Sequence, residues 1–598
     1  MQRRDVLRAT LSAGLLAAAG PHALAQGAVR VRPGMAGWPS AEEWEGLQRA
    51  TGGRLMALAS PFAACVEDGA GTRACERLLR DVRNPCFIGD HPALTQTSGW
   101  QDAWTSQPSA YAVKAHGAAD VAAAVDFARK HNLRLVVKGG GHSYLGGSSA
   151  PDSLLVWTRA MNGVALHDAF VAQGCDPAGA QPAVSLGAGA MWSDAYSAVT
   201  TRGGRYVQGG GCTSVGVAGL VQGGGFGNFS KRYGLACASL LEAEVVTADG
   251  VVRIANAATH PDLFWALKGG GGGSFGIVTR LTLRTHALPA TFGGVFGEIR
   301  ADSDAAFRAL LARFVAFYGE RLFNPHWGET VALRGGRRLG LSMVCEGLAK
   351  DAIEAAWAPF FAWVRARPEY TFAPPFILSV PAQSFWDPAV MGAHMTRDDR
   401  PGASADHFVW SGDREQAGAF LHGYQSAWLP AGLLAPDSQA RLVDALQAAS
   451  RQWDVQLHFN KGLAGAPDAA LAASRDTAMN PAVVDAFALA IAAGGSGPAY
   501  PGMPGPGRTA VDAGHARADA ARIRSAMDAL RAVAPGAGAY VSECDWFQPR
   551  WQDAFWGEHY PKLAAIKRKY DPDGLFFVHH GVGSEDWSVD GFSRVRRG

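Results

Sequence analysis

The chain has 598 residues, of which 48% are hydrophobic and 18% charged, and this apolar content excludes intrinsic disorder as its general state. Lys and Arg total 55 against 53 Asp and Glu, a formal charge of +2, so neither nucleic acid nor an anionic membrane surface is an expected partner. Glycine is over-represented at 74 residues, and the glycines stand in a few tight groups rather than in a linker-like run.

The N-terminal residues have the pattern of a twin-arginine export signal. Arg3-Arg4-Asp5-Val6-Leu7 precedes a short apolar stretch at 11–19, and Ala23-Leu24-Ala25 supplies a small-x-small cleavage site. We therefore expect a signal peptide at 1–25 and an exported bacterial protein, periplasmic or secreted, whose mature chain begins near Gln26. The alternative is an accidental arginine pair before an Ala-rich cytosolic helix. Beyond this signal we expect no membrane association, because no run reaches the ~18 apolar residues of a transmembrane helix.

The eight cysteines favour disulfides if the protein is exported. Cys65, Cys75 and Cys86 are near neighbours, and we expect two of the three to form a bridge. The sequence leaves open which two pair. It also leaves open the state of the other cysteines, namely Cys175, Cys237, Cys345 and Cys544, whereas Cys212 is considered below.

The first clear elements form an α/β unit. Residues 111–115 alternate like a strand, and 118–131 place apolar side chains on one helical stripe. A short apolar strand at 133–137 then runs directly into Gly139-Gly140-Gly141-His142-Ser143. Strand, helix, strand and glycine turn in this order predict a ligand-binding loop at the end of the unit.

More strands and one helix are predicted before residue 288: strands at 153–156, 183–186, 242–247, 251–254 and 276–283, and a helix at 261–267. After residue 288 the predicted elements are long Ala-rich helices and short strands. The predicted helices are 304–318, 351–366 and 437–451, and the predicted strands are 339–344 and 455–459. This pattern indicates a second, α+β lobe. A further helix at 560–569 lies in a basic, aromatic tail that we expect to fold back onto the first lobe.

Four glycine clusters stand at 139–147, 209–219, 223–225 and 269–273. Glycine permits positive φ and close approach of backbone N–H groups to a ligand such as a diphosphate. The segment 271–276 meets the bare G-x-G-x-x-G spacing, but it follows a helix and leads into a strand, which is the reverse of the Rossmann context. For any single cluster, sharp turns without a ligand are the simpler interpretation.

Two of these clusters contain the motifs Gly140-Gly141-His142-Ser143-Tyr144 and Gly211-Cys212-Thr213-Ser214-Val215-Gly216-Val217. The resemblance that these motifs show is to the berberine-bridge-enzyme-like branch of the vanillyl-alcohol-oxidase flavoproteins. It continues in family order through Gly223-Gly224-Gly225-Phe226-Gly227, Tyr233-Gly234-Leu235, Asp262-Leu263-Phe264-Trp265-Ala266-Leu267, Gly269-Gly270-Gly271-Gly272-Gly273 and Lys569-Tyr570-Asp571-Pro572-Asp573-Gly574-Leu575-Phe576. It is dense over 110–283 and 551–582 and weak between them.

The resemblance implies an FAD attached at two points, by His142 to the 8α-methyl carbon and by Cys212 to C6 of the ring. It also implies an α+β fold, in which a PCMH-type FAD-binding lobe of two α/β subdomains joins an α+β substrate lobe whose antiparallel sheet covers the flavin. The expected divisions are the signal peptide 1–25, an N-terminal extension 26–105 packed on the FAD lobe, the FAD-binding domain 106–288, the substrate-binding domain 289–545 and a C-terminal segment 546–598 that returns to the FAD domain. For His142 and Cys212 the alternatives are a backbone hydrogen bond and a disulfide.

The remaining cofactor-binding residues are expected in the same loops and in the strand that follows them. They are Gly139, Gly140, Gly141, Ser143, Tyr144, Gly146, Val215, Gly216, Gly219, Gly223, Gly224, Gly225, Phe226, Gly227, Gly234, Leu235, Gly276, Ile277 and Val278. Thr213 departs from the family, which usually has Pro there. Val215 matches a position that gates oxygen access to the flavin, and a small valine there indicates an oxidase.

The implied reaction is oxidation of an alcohol-type substrate, carbohydrate or aromatic, with O2 reduced to H2O2. Hydride passes to the flavin while a base removes the heteroatom proton. Candidate bases lie in the second lobe. His458 and Asn460 are two apart on a predicted strand and hence share a face, although a structural histidine is the simpler interpretation of His458. Tyr540 and Glu543 are weaker candidates, and Ser542 stands where the family usually has Asn.

Two other functions stay open, a periplasmic FAD-dependent dehydrogenase with another electron acceptor and a non-enzymatic binding protein on the same fold. We expect no metal site. The pair His579-His580 points to opposite faces of any strand, and no ligand set completes it. The expected partners are a small-molecule substrate and O2, and the protein is either a monomer or a homo-oligomer.

Overall fold

The computed structural model describes residues 29–67, 71–503 and 511–595. The predicted signal peptide at 1–25, with the cleavage position near Gln26, lies outside the described residues. In the described part of the chain, no helix has both the length and the apolar character needed to cross a bilayer. The helices and strands build an α+β fold of two lobes, as the resemblance implied.

The α-helices, in chain order, are α1 Ala41–Ala50, α2 Ala63–Glu67, α3 Arg73–Asp81, α4 Pro85–Gly89, α5 Ala118–Lys130, α6 Trp192–Tyr196, α7 Val217–Gln222, α8 Ser230–Tyr233, α9 Pro261–Leu267, α10 Asp304–Phe317, α11 Lys350–Arg365, α12 Pro388–Met391, α13 Pro436–Gln452, α14 Asp468–Arg475, α15 Ala482–Asp485, α16 Ala513–Arg531, α17 Trp551–Trp556 and α18 Tyr560–Tyr570. The strands are β1 Leu55–Ala57, β2 Thr97–Trp100, β3 Trp104–Thr105, β4 Tyr111–Lys114, β5 Leu135–Lys138, β6 Leu154–Trp157, β7 Val164–Phe170, β8 Gln181–Gly187, β9 Arg205–Val207, β10 Leu240–Val246, β11 Val252–Asn256, β12 Ile277–Ala287, β13 Thr291–Ala301, β14 Trp327–Arg334, β15 Arg338–Glu346, β16 Tyr370–Phe372, β17 Phe376–Pro381, β18 Met395–Arg397, β19 Phe408–Trp410, β20 Ala419–Pro430, β21 Val455–His458 and β22 Ala486–Ser496.

The first lobe contains two sheets. One has the order β1-β4-β6-β5, with β6 parallel to both β4 and β5, and the predicted crossover helix is α5. Its apolar stripe of Val121, Val125 and Ala128 is fully buried, as an amphipathic helix over a sheet requires. The other sheet has the order β11-β10-β12-β8-β7, with β9 also on β12, and it is antiparallel.

The second lobe is built on a ten-stranded sheet, the substrate sheet, in the order β16-β13-β15-β14-β21-β22-β20-β2-β3 with β17 also on β13. Helices α10, α11, α13 and α16 supply buried side chains to a core on one side of it, which leaves the other side to the first lobe. The sheet is antiparallel except where β2 runs parallel to β20. Strands β2 and β3 come from the N-terminal segment, so this segment contributes to both lobes.

The observed elements match the predicted ones closely where the pattern was periodic. Helix α9 has the predicted bounds 261–267, because Pro at its start and a glycine run after its end are local signals. Strand β12 continues to Ala287 rather than ending at 283. Strand β21 ends at His458, and Asn460 lies in a 3-10 turn, so the expectation that His458 and Asn460 share a strand face was wrong. The alternation rule fails there because the chain leaves the extended conformation at Phe459.

The two ends of the chain pack against the first lobe. Strand β1 pairs with β4, and Trp44 of α1 stacks on Tyr111 with ring centroids 4.0 Å apart. At the other end, Phe576 forms a parallel bridge to Leu135 of β5, so the tail returns to the first lobe. Cys65 and Cys75 form the disulfide that the sequence left unassigned, and Cys86 is a buried free thiol.

Residues 395–416, here called the arm, leave the substrate sheet and reach across to the first lobe. The arm contains the hairpin of β18 and β19. Its docking is ionic: Arg400 contacts Asp398 at 2.5 Å and Asp90 of the first lobe at 2.8 Å. Both contacts are largely shielded from solvent, since the Asp398 side chain is 1% exposed and that of Arg400 19%.

One group of side chains, where the arm meets α4, has metal-ligand chemistry. Donor atoms of Cys86, Asp398 and His407 all lie within 4.8 Å of one another. However, Arg400 occupies the Asp398 carboxylate, and Arg159 approaches the His407 ring nitrogen Nε2 at 2.7 Å. Two guanidinium groups among the donors oppose a divalent cation electrostatically, so the group is an ion-pair network that holds the arm.

Candidate active site

Two glycine-rich loops of the first lobe cross each other, and this crossing brings His142 and Cys212 to one place. The first loop follows β5, and the second leads into α7. At the crossing, a Cβ added to Gly140 would lie 2.8 Å from the backbone nitrogen of Gly216, and one added to Gly216 would lie 2.9 Å from that of Gly140. Because real side chains do not tolerate such distances, both positions require glycine.

His142 is half-buried on the first loop, and its ring is oriented by the second. Nε2 lies 3.1 Å from the hydroxyl of Ser214, which leaves Nδ1 available for another bond. Burial lowers the pKa of His142 to about 4, so the imidazole is neutral at pH 7. A neutral ring with a free nitrogen is the nucleophilic form.

Cys212 opens into the same space, and the arm holds its loop. The Thr213 hydroxyl donates to the carbonyl of Phe408 at 2.5 Å, and the Trp410 indole donates to the carbonyl of Gly211 at 3.2 Å. The Thr213 hydroxyl, which Pro would lack, therefore ties the loop to β19. The Asp413 carboxylate lies 3.7 Å from the Cys212 sulfur and, together with burial, raises the pKa of the thiol.

These loops line a cavity of about 1570 Å³ between the first lobe and the substrate sheet. Ligand pockets usually measure about 300–1,000 Å³, so the space accommodates a large cofactor together with a substrate. Most of the predicted cofactor-binding residues are in its wall: Gly139, Gly140, Gly141, His142, Ser143, Tyr144, Cys212, Val215, Gly216, Gly219, Gly223, Phe226, Gly276, Ile277 and Val278. The wall also includes Gly271, Gly272, Gly273 and residues 576–581 of the tail.

The remaining predicted residues are not in this wall, and their glycines serve packing instead. These residues are Gly146, Gly224, Gly225, Gly227, Gly234 and Leu235. A Cβ on Gly225 would lie 2.2 Å from the Leu220 side chain, and one on Gly227 would lie 2.6 Å from the carbonyl of Gly209. Leu235 is fully buried in the first-lobe core. A glycine motif marks both kinds of position, so the sequence did not separate them.

The predicted catalytic residues of the second lobe all line the cavity. They differ in whether their polar atoms are already engaged by other groups of the protein. His458 contacts Gln456 at 3.0 Å through Nε2, and burial holds its pKa well below the ordinary value. The hydroxyl of Tyr540 accepts the backbone N–H of Gly225, so it braces the glycine turn. Both oxygens of Glu543 lie 2.6 Å from the Lys461 ammonium, and this partly buried pair fixes the carboxylate.

Glu329 of β14 is a cavity residue that sequence reasoning missed. Its Oε1 accepts a hydrogen bond from Asn460 at 3.1 Å, and it faces Gly211, next to Cys212. The sequence of β14 contains a pattern that could have identified Glu329. Trp327, Val331 and Leu333 alternate as an apolar face, and the acidic residue interrupts that series.

The residues present fit an FAD. Added Cβ atoms at Gly219 and Gly272 would meet nothing closer than 3.8 Å, so these backbone segments stand open to the cavity as a cradle for a large ligand. A neutral imidazole and an accessible thiol share that cradle, which is the donor set for two covalent bonds to one ring system.

Comparisons with known proteins agree with this geometry. The family model described as "FAD binding domain" matches residues 109–256, and "Berberine and berberine like" matches 539–583. The chain is 30% identical to the VAO-type flavoprotein oxidase VAO615 of Thermothelomyces thermophilus, over 95% of each chain. The crystal structure of MtVAO615 from Myceliophthora thermophila C1 superposes with a TM-score of 0.77 at 28% identity, covering 95% of this chain and 100% of that one.

A glucooligosaccharide oxidase from Acremonium strictum, which carries a 6-S-cysteinyl, 8α-N1-histidyl FAD, shares the fold. Its TM-score is 0.62 at 20% identity, covering 88% of this chain and 99% of that one. The loops around His142 and Cys212, the returning tail and the similarity along nearly the whole chain lead to one assignment. The protein belongs to the berberine-bridge-enzyme-like branch of the vanillyl-alcohol-oxidase family of FAD-linked oxidoreductases.

Proposed function

We propose that this protein is an oxidase that converts an alcohol-type substrate, carbohydrate or aromatic, to the carbonyl compound, with FAD bound covalently by both His142 and Cys212. The observation that carries the proposal is that a neutral imidazole and an accessible thiol open into one cavity. The opposite wall of that cavity includes the polar side chains of Glu329, Gln456 and His458 from the substrate sheet. The bicovalent FAD of the glucooligosaccharide oxidase supports the same arrangement.

The protein side chains have distinct parts in this reaction. FAD, when bound, takes up two electrons and a hydrogen from the substrate and passes the electrons to O2, which yields H2O2. His142 and Cys212 hold the ring, and the glycine loops hold the rest of the cofactor. Gln456, His458 and Glu329 line the substrate side and supply hydrogen-bonding groups for hydroxyls. Ile491 of β22 supplies apolar surface on the same side.

Acid precipitation of the purified protein tests the two bonds. We expect the yellow colour to stay with the pellet, and the intact mass to exceed the polypeptide mass by one FAD. His142→Ala and Cys212→Ala should each retain the flavin through the other bond, while the double variant should release it on precipitation. Colour in the supernatant of the unmodified protein, or a double variant that still holds its flavin, contradicts the proposal.

The choice of O2 as acceptor rests on Val215, whose small side chain lies half-buried in the cavity wall. Stopped-flow mixing of the reduced protein with O2 should show fast reoxidation, and a panel of alcohols should release H2O2. Val215→Leu narrows the access of O2 to the flavin and should slow reoxidation. The rate of anaerobic flavin reduction should stay close to that of the unmodified protein. Slow reoxidation of the unmodified protein would favour a dehydrogenase. Flavin that stays oxidised with every substrate would favour a binding protein.

We further propose export by the twin-arginine route to the periplasm or the medium. The sequence pattern at Arg3-Arg4 supports it, and so does the Cys65–Cys75 disulfide, since such bonds persist in oxidising compartments. Cell fractionation of the chain and of its Arg3→Lys/Arg4→Lys variant tests this proposal. An equal distribution of the two proteins between compartments would contradict it.

A further inference from the structure

Glu329 occupies a position that its strand alone does not explain. Strand β14 pairs in regular antiparallel register with β15, and Glu329 lies opposite Met343. Its neighbours two and four residues along, Val331 and Leu333, pack under the helices of the second lobe. Side chains of a strand alternate between the two faces, so regular geometry would direct Glu329 into that apolar core.

The backbone at Glu329 prevents this burial. Its φ is +64°, in the left-handed region that side chains other than glycine rarely adopt. The carboxylate consequently joins the cavity wall, where Oε1 lies 3.7 Å from a Cβ position on Gly211. Strained backbone of this kind persists where surrounding structure over-determines it, and such residues cluster at functional sites.

Contacts hold the carboxylate in one orientation. The Asn460 side-chain amide donates to Oε1 and also to the carbonyl of Gly227, at 3.1 and 3.0 Å, so Asn460 ties the carboxylate to the first lobe. Among the described residues, no side chain or backbone group donates a hydrogen bond to Oε2. One oxygen is therefore anchored, and the other is free to accept a proton from a ligand in the cavity.

Burial and the charges around Glu329 place its pKa near neutral pH. Burial raises the pKa of Glu329 to about 7; Lys461 opposes this rise, whereas Glu543 and Asp413 add to it. The titratable groups that face it from the packed elements are Tyr196, Cys212, Asp413, Lys461 and Glu543. A general base is most effective when its pKa lies near the working pH.

The other candidate bases are worse placed. His458 is held neutral, with a pKa far below 7, and so has little affinity for a proton at that pH. Glu543 is bound through both oxygens by Lys461. Tyr540 already accepts a backbone N–H, and burial raises the pKa of its hydroxyl.

We propose that Glu329 is the general base of the oxidation, with Asn460 as its positioning residue. This inference rests on the proposed function. The substrate carbinol loses its hydroxyl proton to Oε2 of Glu329 and its carbon-bound hydrogen, with the electron pair, to the bound FAD. The alcohol is thereby oxidised by two electrons to the carbonyl compound, the cofactor is reduced by two, and neutral Glu329 returns its proton to solvent.

The test compares Glu329→Gln, which keeps the shape of the side chain, with Glu298→Gln, a matched change on β13 outside the cavity. A readout without turnover comes first. Titration of the flavin absorption spectrum between pH 5 and 9 should show a transition near pH 7 in the unmodified protein and in Glu298→Gln, and none in Glu329→Gln. Acid-stable flavin content should be equal in all three, which excludes a folding or attachment defect.

The second readout is the anaerobic rate of flavin reduction by the best alcohol of the substrate panel. Glu329→Gln should lower it at least about 100-fold, as expected for loss of a general base, while Glu329→Asp should retain part of the rate. In the unmodified protein the rate should rise about tenfold per pH unit below pH 7 and then level off, since only the carboxylate accepts the proton.

The outcomes separate the two proposals. If the unmodified protein is reduced and Glu329→Gln is reduced at a similar rate, or keeps the spectral transition, the base assignment is wrong and the oxidase proposal stands. If no alcohol reduces the unmodified protein, the oxidase proposal is wrong, and the base assignment that rests on it is wrong as well.

Discussion

The hydroxyl of Ser214 lies 3.1 Å from Nε2 of His142, although the two residues are 72 positions apart in the chain. This contact selects which ring nitrogen of His142 remains free. Because Nε2 is engaged, the ring presents Nδ1 to the cavity. The second glycine loop therefore supplies both Cys212 and the residue that orients His142.

Replacing Ser214 by Ala should impair attachment at His142 and leave attachment at Cys212 intact. A hydrogen bond of this kind contributes about 0.5–1.5 kcal/mol, so the rate of His142–FAD bond formation should fall by roughly 2- to 10-fold. Mass spectrometry of the flavin-bearing peptides during reconstitution measures both bonds separately. Ser214→Thr keeps the hydroxyl and should behave like the unmodified protein; an equal loss in both variants would contradict this role.

The loop crossing predicts that Gly140→Ala is damaging. Its Cβ would meet the Gly216 nitrogen at 2.8 Å and the Ser214 carbonyl at 2.9 Å, and these backbone atoms yield only if the loops separate. Overpacking of this kind costs about 1–3 kcal/mol, so we expect a lower thermal midpoint and less acid-stable flavin. At Gly163 a Cβ meets nothing within 4 Å, and Gly163→Ala is the control that should change neither property.

The charges around Glu329 predict opposite shifts for two single variants. Lys461 lowers the pKa of Glu329, and Glu543 raises it. In Lys461→Gln the spectral transition near pH 7 should consequently move to higher pH, and in Glu543→Gln to lower pH. The double variant removes both charges and should return toward the original midpoint. Shifts of the same sign in the two single variants would show that another group titrates.

The arm predicts a link between a distant ion pair and the Cys212 loop. Arg400→Met removes the contacts to Asp90 and Asp398 and leaves the buried Asp398 without its guanidinium partner, a change that typically costs about 3–5 kcal/mol. Hydrogen exchange over 395–416 should accelerate, and the Cys212–FAD bond should form more slowly than the His142 bond. Arg397→Met, which removes only an exposed contact to Asp387 at 3.7 Å, should have little effect on either measurement.

The disulfide offers a prediction that does not involve the flavin. Cys65 and Cys75 close a loop with a sequence separation of 10, and cross-links of this length contribute about 2–3 kcal/mol in the chain-entropy model. The variant Cys65→Ser/Cys75→Ser should unfold at lower temperature yet keep its acid-stable flavin. Cys86→Ser should leave the disulfide intact on a non-reducing peptide map, and a Cys86 bridge on that map would contradict the assigned pairing.

Local sequence patterns were sufficient for the framework of the first lobe. The alternation at 111–115, the amphipathic stripe of 118–131 and the proline and glycines around α9 are short-range signals, and the observed elements follow them closely. His142 and Cys212 were predicted as flavin ligands from the family resemblance, which rests on the glycine motifs around each of them. The backbone preferences that form these elements depend on residues a few positions apart, so they can be predicted from the sequence without knowledge of the fold.

The remaining features of the site depend on contacts between segments that are far apart in the chain. Whether a glycine faces the cavity, as Gly219 does, or packs a turn, as Gly225 does, depends on which segment of the chain lies against it. The arm meets the Cys212 loop through Thr213, nearly 200 residues away. Glu329 reaches the cavity because one backbone angle departs from its strand. These positions are determined by packing between the two lobes. The interactions that offset backbone strain or close contacts there come from residues far apart in the chain, so a short stretch of sequence does not reveal them.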